Sequence, residues 1–165
     1  MPRKIQVKLS ASSIDAAIKQ LQEYKAKVQR KTDELCRRLA EMGAVRISLG
    51  YARAVYTGEK DISVSVEPRG NGYAIVANGE SVMFVEFGAG ITYGYGHPMD
   101  GELGMGPGTY PDGKGHWNDP SGWFLPRNEG GDHTFGNPPS MVMYRTAREL
   151  EDAVLQVARE VFASD

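Results

Sequence analysis

The sequence predicts a single α+β domain, in which a long N-terminal helix and a C-terminal helix pack on a small antiparallel sheet. Apolar residues recur at four-three spacing over residues 14–42 and again over residues 143–161, which is the spacing of amphipathic helices. Between these stretches, residues 62–77 alternate apolar and polar side chains around a glycine-rich turn, as a β-hairpin does. A chain of 165 residues, 41% of them hydrophobic, suits one domain spanning 1–165.

The first two elements are predicted to be a short strand and a long helix. Apolar and polar residues alternate over residues 5–9, which predicts the strand. Ser12 begins the helix, because its hydroxyl can cap free backbone amides and Asp15, three residues later, can reach back as in a capping box. The helix is expected to end between Gly43 and Gly50, and residues 45–56 fit either a strand or a further helical turn.

The apolar stripe of this helix extends through four heptads but is interrupted by Lys25 and Thr32. It allows two structures, a coiled-coil dimer or a helix that packs on a sheet of its own domain, and the interruptions favour the second. The stripe consists of Ile14, Ile18, Leu21, Lys25, Val28, Thr32, Leu35, Leu39 and Met42.

The middle of the chain predicts a hairpin and then a short helix. Strands at residues 62–66 and 73–77 flank the turn at residues 69–72, where glycine and asparagine tolerate positive φ. Ser81 is predicted to cap a helix over residues 82–87, and Gly88 is predicted to end it.

Residues 88–137 form a long loop insertion that shows no secondary-structure period. This stretch holds fourteen of the twenty glycines and five of the nine prolines, together with seven aromatic residues. Disordered segments are poor in such large apolar groups, so we expect the loop to be ordered by packing, including packing on another subunit. After it, the run Asn137-Pro-Pro-Ser140 predicts a cap and a proline at the start of the last helix.

Charge and composition restrict the class of protein. Residues 1–60 carry 13 basic and 6 acidic side chains, whereas residues 61–165 carry 6 basic and 15 acidic ones. This asymmetry suits either a solvated helix face or contact with nucleic acid or an acidic neighbour. Aromatic residues are not interleaved with the basic ones, which argues against sequence-specific recognition of nucleic acid.

No apolar run approaches the roughly 20 residues that span a bilayer, and the N-terminal residues lack the apolar core of a signal peptide. The sequence therefore predicts no membrane contact and a location in the cytoplasm of the cell that makes the protein. The single cysteine, Cys36, fits a reducing compartment and is interpreted as a small helix-packing residue.

Candidate catalytic groups are few. Three histidines lie in the loop among four aspartates, a ligand set that suits a divalent metal, but their spacings of 19 and 17 residues match no compact ligand motif. Glu86 lies in an apolar run and is interpreted as capping backbone amides or pairing with an arginine rather than as a general acid. We therefore predict no enzyme activity, cofactor or metal, with a metal-dependent hydrolase as the alternative. The loop residues on which that alternative depends are His97, Asp100, Asp112, His116, Asp119, Asp132 and His133.

Three segments in this order resemble a family. The run from Ser81 to Gly90 (SVMFVEFGAG), the run from Ser121 to Pro126 (SGWFLP) and the run from Thr134 to Leu150 (TFGNPPSMVMYRTAREL) are similar to the neck and minor tail-component proteins of long-tailed bacteriophages and prophages. The resemblance covers about residues 35–162. The long loop over residues 91–131 departs from the family pattern.

The resemblance implies a structural virion protein that forms a ring, expected to be a hexamer, and that joins the tail to the head or completes the tail. Its implied partners are copies of itself, the neighbouring tail-tube, terminator or connector proteins, and phage DNA through contacts that do not read sequence. Aromatic residues dominate the buried centres of interfaces, so the loop and its flanks are expected to provide the subunit contact. The expected interface residues are Glu86, Phe87, Trp117, Trp123, Phe124, Phe135 and Tyr144.

Overall fold

The computed structural model describes residues 10–56, 60–93, 96–105, 119–124 and 131–164. The α+β fold is confirmed, with two long helices and a two-stranded antiparallel hairpin. The strand predicted at residues 5–9 lies outside the described residues. The elements are α1 (Ala11–Arg53), β1 (Ser63–Arg69), β2 (Gly72–Asn78), α2 (Val82–Phe87), β3 (Trp123–Phe124), β4 (His133–Thr134) and α3 (Val142–Ala163).

Helix α1 begins one residue before the predicted cap, so the assignment of Ser12 as the cap was wrong. Ser10 has the extended backbone of an N-cap, with φ −139° and ψ 147°, and its hydroxyl accepts the N–H of Ser13 at 3.4 Å. Ser12 already lies inside the helix and cannot take that conformation.

The helix continues to Arg53, past the predicted end between Gly43 and Gly50. Both glycines lie inside the helix, and neighbouring side chains occupy the space that their Cβ atoms would take. A Cβ at Gly43 would collide with the side chains of Ile75 and Leu150, and one at Gly50 would lie 2.5 Å from Val142 Cγ1. Glycine therefore allows β2 and α3 to approach α1 closely.

The hairpin is confirmed. In its antiparallel register Val64 faces Ala77 and Val66 faces Ile75, and among the turn residues Gly70 has a positive φ of 58°. The hydrophobic core lies between this hairpin, α1 and the N-terminal end of α3. Its buried centre consists of Ile47, Tyr51, Val85 and Val142.

Helix α2 is confirmed at residues 82–87, but the capping role predicted for Ser81 was wrong. The Ser81 hydroxyl donates to Asp61 Oδ1 at 2.5 Å, and the amides of Glu80 and Ser81 also donate to the Asp61 carboxylate. These hydrogen bonds lower the pKa of Asp61 to about 2, and the bond from the Ser81 hydroxyl has the largest effect. Asp61 thus fixes residues 80 and 81, just before α2, and the first turn of the helix has no side-chain cap.

Helix α3 packs antiparallel along the C-terminal part of α1. Gly50 contacts Val142, Gly43 contacts Leu150, and Lys31 contacts Val161. Residue numbers therefore fall along α1 as they rise along α3, in one constant register. At the C-terminal end of α3, the buried ammonium of Lys31 donates to the carbonyl of Val161 at 2.8 Å and to the backbone and side chain of Ser164. A cation at this end also suits the helix dipole.

The predicted stripe of α3 is confirmed at Val157 and Val161, which are buried. Of the other residues of the predicted stripe, Met143 and Leu150 are half-buried, with Met143 packed against the core, whereas Ala147 and Val154 are exposed. Val142 and Thr146 are buried beside the stripe, and Val142 fits against Gly50 of α1.

The packing of α1 differs between its two parts, and the structure favours packing within the domain only for the C-terminal part. The C-terminal part packs within its own domain, on α3 and the hairpin. In the N-terminal part Ile14, Ile18 and Leu21 are exposed. Within the described ranges, neither long helix is apolar enough over a sufficient length to cross a membrane.

Candidate functional site

The two segments that flank the long loop contact each other directly. Gly88 ends α2, and the following Ala89 pairs with Asn137 through two backbone hydrogen bonds of 2.9 and 3.2 Å. The amides of Ser140 and Met141 then donate to the carbonyls of Val85 and Glu86 at 2.8 and 3.2 Å. We call this contact, between residues 85–90 and residues 134–144, the Glu86 junction.

Glycine is required on both sides of the Glu86 junction. Gly88 has φ 78° and ψ 176°, and a Cβ there would lie 2.7 Å from the carbonyl oxygen of Asn137. Gly136 has φ 104°, and a Cβ there would overlap the carbonyl of Ala89. The backbones of the two segments therefore approach more closely than any side chain would allow.

Glu86 caps α3, so that of the two predicted roles, capping of backbone amides or pairing with an arginine, the structure shows the first. It is 5% exposed, and its two carboxylate oxygens accept the N–H groups of Met143 and Tyr144, each at 3.0 Å. These are two of the free amides at the start of the helix, where a negative charge also meets the positive end of the helix dipole.

The predicted cap from Asn137 and the prolines was wrong. The Asn137 side chain donates to the carbonyl of Phe84 at 2.8 Å, and the helix begins at Val142, after Met141 with a left-handed φ of 52°. Asn137 therefore attaches the segment before α3 to α2, and the capping group comes from Glu86, 57 residues before Met143.

Two further side chains complete the surroundings of Glu86. The buried Tyr51 hydroxyl donates to Glu86 Oε2 at 3.1 Å, and burial, the negative charge of Glu86 and this hydrogen bond together raise the pKa of Tyr51. His97 Nε2 lies 3.4 Å from Glu86 Oε1, and His97 Nδ1 accepts the N–H of Met99 at 3.1 Å. Because Nδ1 accepts, we assign the proton to Nε2, which donates to Glu86.

This arrangement makes Glu86 a structural group. A carboxylate has about four acceptor sites, and here the four are taken by two backbone amides, a phenol and an imidazole. His97 is held in addition between the rings of Phe87 and Tyr144, with centroid distances of 4.1 and 5.6 Å. The cluster therefore connects α1, α2, α3 and the loop residue His97.

An exposed group of aromatic rings lies next to the Glu86 junction. Strands β3 and β4 pair antiparallel, with Phe124 opposite His133. The ring of His133 lies edge-on to Phe124 at 5.0 Å and to Phe135 at 4.9 Å. Phe124 is 69% exposed and Phe135 is 50% exposed. We call Phe124, His133 and Phe135 the aromatic surface.

The backbone at Phe135, a residue of the aromatic surface, lies close to Gly90 of the Glu86 junction. A Cβ at Gly90 would lie 2.5 Å from the carbonyl oxygen of Phe135 and 3.2 Å from the ring of Trp123. The position of the exposed rings therefore depends on the same glycine-rich turn that follows Glu86.

The structure divides the predicted interface residues into two groups. Glu86 and Phe87 are buried within the chain, and Trp123 and Tyr144 are half-buried. Phe124 and Phe135 are exposed, and Trp117 lies outside the described residues. The buried residues hold the backbone in position, and the exposed residues provide the surface.

The predicted metal-ligand candidates do not come together among the residues that the structure describes. There, no group of three histidine, cysteine, aspartate or glutamate side chains is placed to hold an ion. His97 lies against Glu86, His133 belongs to the aromatic surface, and Asp119 accepts hydrogen bonds from the amide and hydroxyl of Ser121. His116 and Asp112 lie outside the described residues.

Sequence reasoning missed two members of the cluster around Glu86. Tyr51 lies in the stretch that fits either strand or helix, so its face was not assigned. His97 was considered only as a metal ligand. Its sequence context, Gly-His-Pro in a loop, gave no sign that it would be buried against a carboxylate.

We compared the chain with protein-family models, with curated proteins and with solved structures, and none of them matched.

Proposed function

We propose that this chain is a structural, non-enzymatic protein of a long-tailed bacteriophage or prophage. It forms a ring, a hexamer in the simplest case, in the neck or at the end of the tail, where it joins the tail to the head or completes the tail. The Glu86 junction is the observation that carries this proposal.

The junction supports the proposal because it joins the segments on which the family resemblance rests. The runs over residues 81–90 and 134–150 are about 45 residues apart in sequence, yet they pair through backbone hydrogen bonds and through Glu86. A site in which the acid is fully hydrogen-bonded suits a rigid support for a surface better than it suits proton transfer.

The aromatic surface is the proposed contact with the neighbouring subunit. A ring requires heterologous contacts, in which one patch meets a different patch of the next subunit. Exposed Phe124 and Phe135 on a support fixed by glycine backbone contacts provide such a patch, and aromatic residues are enriched in the centres of interfaces.

The other proposed partners are the tail-tube, terminator or connector proteins above and below the ring. The basic side chains of α1 provide a further surface, for an acidic neighbour or for the phosphates of phage DNA passing through the ring. In this account the protein acts in the virion and is present in the host cytoplasm during assembly.

The test is assembly with partners from the same phage. The purified chain is mixed with its tail-tube and connector proteins, and complexes are measured by size-exclusion chromatography with light scattering. We expect a complex of several copies, which Phe124→Ala with Phe135→Ala weakens without lowering the melting temperature. Leu155→Ala is the matched control, because Leu155 is an equally exposed apolar residue on α3. A chain that binds none of these proteins would contradict the proposal.

A further inference from the structure

Residues 96–105 of the long loop contact the Glu86 junction through His97, and we call this segment the His97 flap. Three backbone hydrogen bonds close its turns, and each of them joins two residues of the flap. They run from the amides of Asp100, Leu103 and Met105 to the carbonyls of His97, Met99 and Asp100. Within the described part of the chain, no backbone hydrogen bond joins the flap to another segment. The flap is therefore a separate set of turns that lies on the domain.

The side chain of His97 forms the polar link between the flap and the domain. Among the described residues, the hydrogen bond between His97 Nε2 and Glu86 Oε1 is the only hydrogen bond or ion pair that connects the flap with the rest of the chain. Its length is 3.4 Å, whereas the other three groups that donate to Glu86 lie at 3.0, 3.0 and 3.1 Å. Hydrogen bonds weaken beyond about 3.2 Å, so the link to the flap is the weakest of the four.

The flap buries little of its own surface. Only His97 and Met105 among its residues are buried, at 4% and 8% exposure, and Leu103 is 58% exposed. Segments with few buried contacts open at a much smaller free-energy cost than the whole domain. Short turns are not stable in water without support, so a detached flap loses its hydrogen bonds.

The Glu86 junction does not need the flap. When His97 leaves, Glu86 still accepts the two amides at the start of α3 and the hydroxyl of Tyr51 in α1. The backbone pairing of Ala89 with Asn137 also lies outside the flap. The start of α3 therefore keeps its cap in a state in which the flap is open.

The closed flap covers two aromatic rings. The ring of His97 lies 4.1 Å from that of Phe87 and 5.6 Å from that of Tyr144, measured between centroids. Phe87 is only 8% exposed in this arrangement. Both rings belong to residues that the sequence predicts at a subunit interface, and departure of the flap uncovers the ring faces that His97 contacts.

We propose that the His97 flap opens while the hairpin and both long helices stay folded, and that its opening exposes the rings of Phe87 and Tyr144. In the closed state the flap withholds these rings from partners, and in the open state they enlarge the apolar surface of the Glu86 junction. The flap is thus an autoinhibitory contact within the chain. The proposal does not depend on the virion function, because the opening takes place in the isolated chain.

Native-state hydrogen exchange on the purified full-length chain, followed by NMR at increasing urea concentrations, tests the opening. We expect the amides of Leu103 and Met105 to have protection factors at least about a hundredfold lower than those of the hairpin. Low urea should not change their exchange, because the opening exposes little surface. The amide of Tyr144, which Glu86 caps, should exchange together with the hairpin. Flap amides that exchange together with the hairpin would overturn the proposal.

His97→Ala tests whether the flap is separable from the domain. The change destabilises the closed state alone, because the open state has already lost the contacts of His97. The flap amides should therefore lose their protection, and the protection factors of the hairpin should fall by no more than the factor that protects the flap in the unchanged chain. His133→Ala is the matched control, since His133 is an exposed histidine of the same loop, and it should leave both unchanged. A larger loss in the hairpin would overturn the proposal, since the domain would then depend on the flap.

The dye ANS, which fluoresces when it binds exposed apolar surface, tests the exposure of the two rings. Its fluorescence should rise at least about twofold with His97→Ala and stay unchanged with His133→Ala. His97→Gln keeps an N–H donor for Glu86, so we expect it to recover part of the protection of the flap. Unchanged fluorescence with His97→Ala would overturn the exposure of the rings, and a glutamine that protects the flap no better than alanine would overturn the role of His97 in closing it.

Discussion

Replacing Glu86 with glutamine tests the role of this residue as the cap of α3. Glutamine has nearly the same shape, so the surrounding side chains keep their packing. It removes the negative charge and exchanges one acceptor oxygen for an NH₂ group. Because both carboxylate oxygens accept backbone amides, that NH₂ group must face the N–H of either Met143 or Tyr144.

The expected loss follows from these contacts. Hydrogen bonds to a charged group contribute about 1.5–3 kcal/mol each, and a buried donor left without an acceptor costs about 1–3 kcal/mol. The hydroxyl of Tyr51 and the ring of His97 can rotate or donate to the remaining oxygen, whereas the backbone amides cannot move. We therefore expect Glu86→Gln to lower the free energy of unfolding by about 3 kcal/mol and the melting temperature by about 6–12 °C.

The measurement is urea denaturation at pH 7, followed by circular dichroism. Glu151→Gln provides the control, because Glu151 is an exposed residue of α3 whose ion pair with Arg148 contributes at most about 1 kcal/mol. If the two variants lose the same stability, Glu86 does not fix the start of α3 and the reasoning about the junction fails.

Three further predictions concern the same framework. Burial, and to a lesser extent Glu86, raises the pKa of Tyr51 above 10.0, so the contribution of Tyr51 to stability is complete below pH 10 and is lost as the pH rises further. Tyr51→Phe should therefore reduce the fall of the melting temperature at alkaline pH. The pKa of Asp61 is lowered to about 2, so the contribution of Asp61 to stability is present above pH 3.8 and is lost as the pH falls through 2. Asp61→Asn should remove this loss of stability at acid pH, and an unchanged dependence of stability on acid pH would contradict the account. Gly88→Ala should cost about 3 kcal/mol in urea denaturation, because the alanine would have a φ of 78° and collide with the facing backbone, whereas Gly101→Ala, in open space, should change stability by less than about 0.5 kcal/mol.

Local patterns predicted the elements of the fold because each element depends on near neighbours in sequence. The alternation around Gly70 and Asn71 predicted the hairpin, and the apolar run before Gly88 predicted α2. The same reasoning failed at Gly43 and Gly50. A glycine usually weakens a helix, whereas here Leu150 and Val142, about a hundred residues later, pack into the space that the missing side chains leave.

The candidate site was predictable only where it depends on residues near in sequence. That Glu86 would either cap backbone amides or pair with an arginine followed from its position in an apolar run, since a buried acid needs donors. Which amides it would cap did not follow, because Met143 and Tyr144 are 57 and 58 residues away. The prolines after Asn137 resembled a helix start, and the true start four residues later depends on Glu86 rather than on local sequence.

Cryo-electron microscopy of the intact phage particle tests the central claim most directly. The account predicts a closed ring of density at the neck or the tail end that accommodates α1, α3 and the hairpin, with the surface formed by Phe124, His133 and Phe135 buried against the next subunit. Particles that lack this chain, or a ring in which that surface is exposed to solvent, would contradict the account.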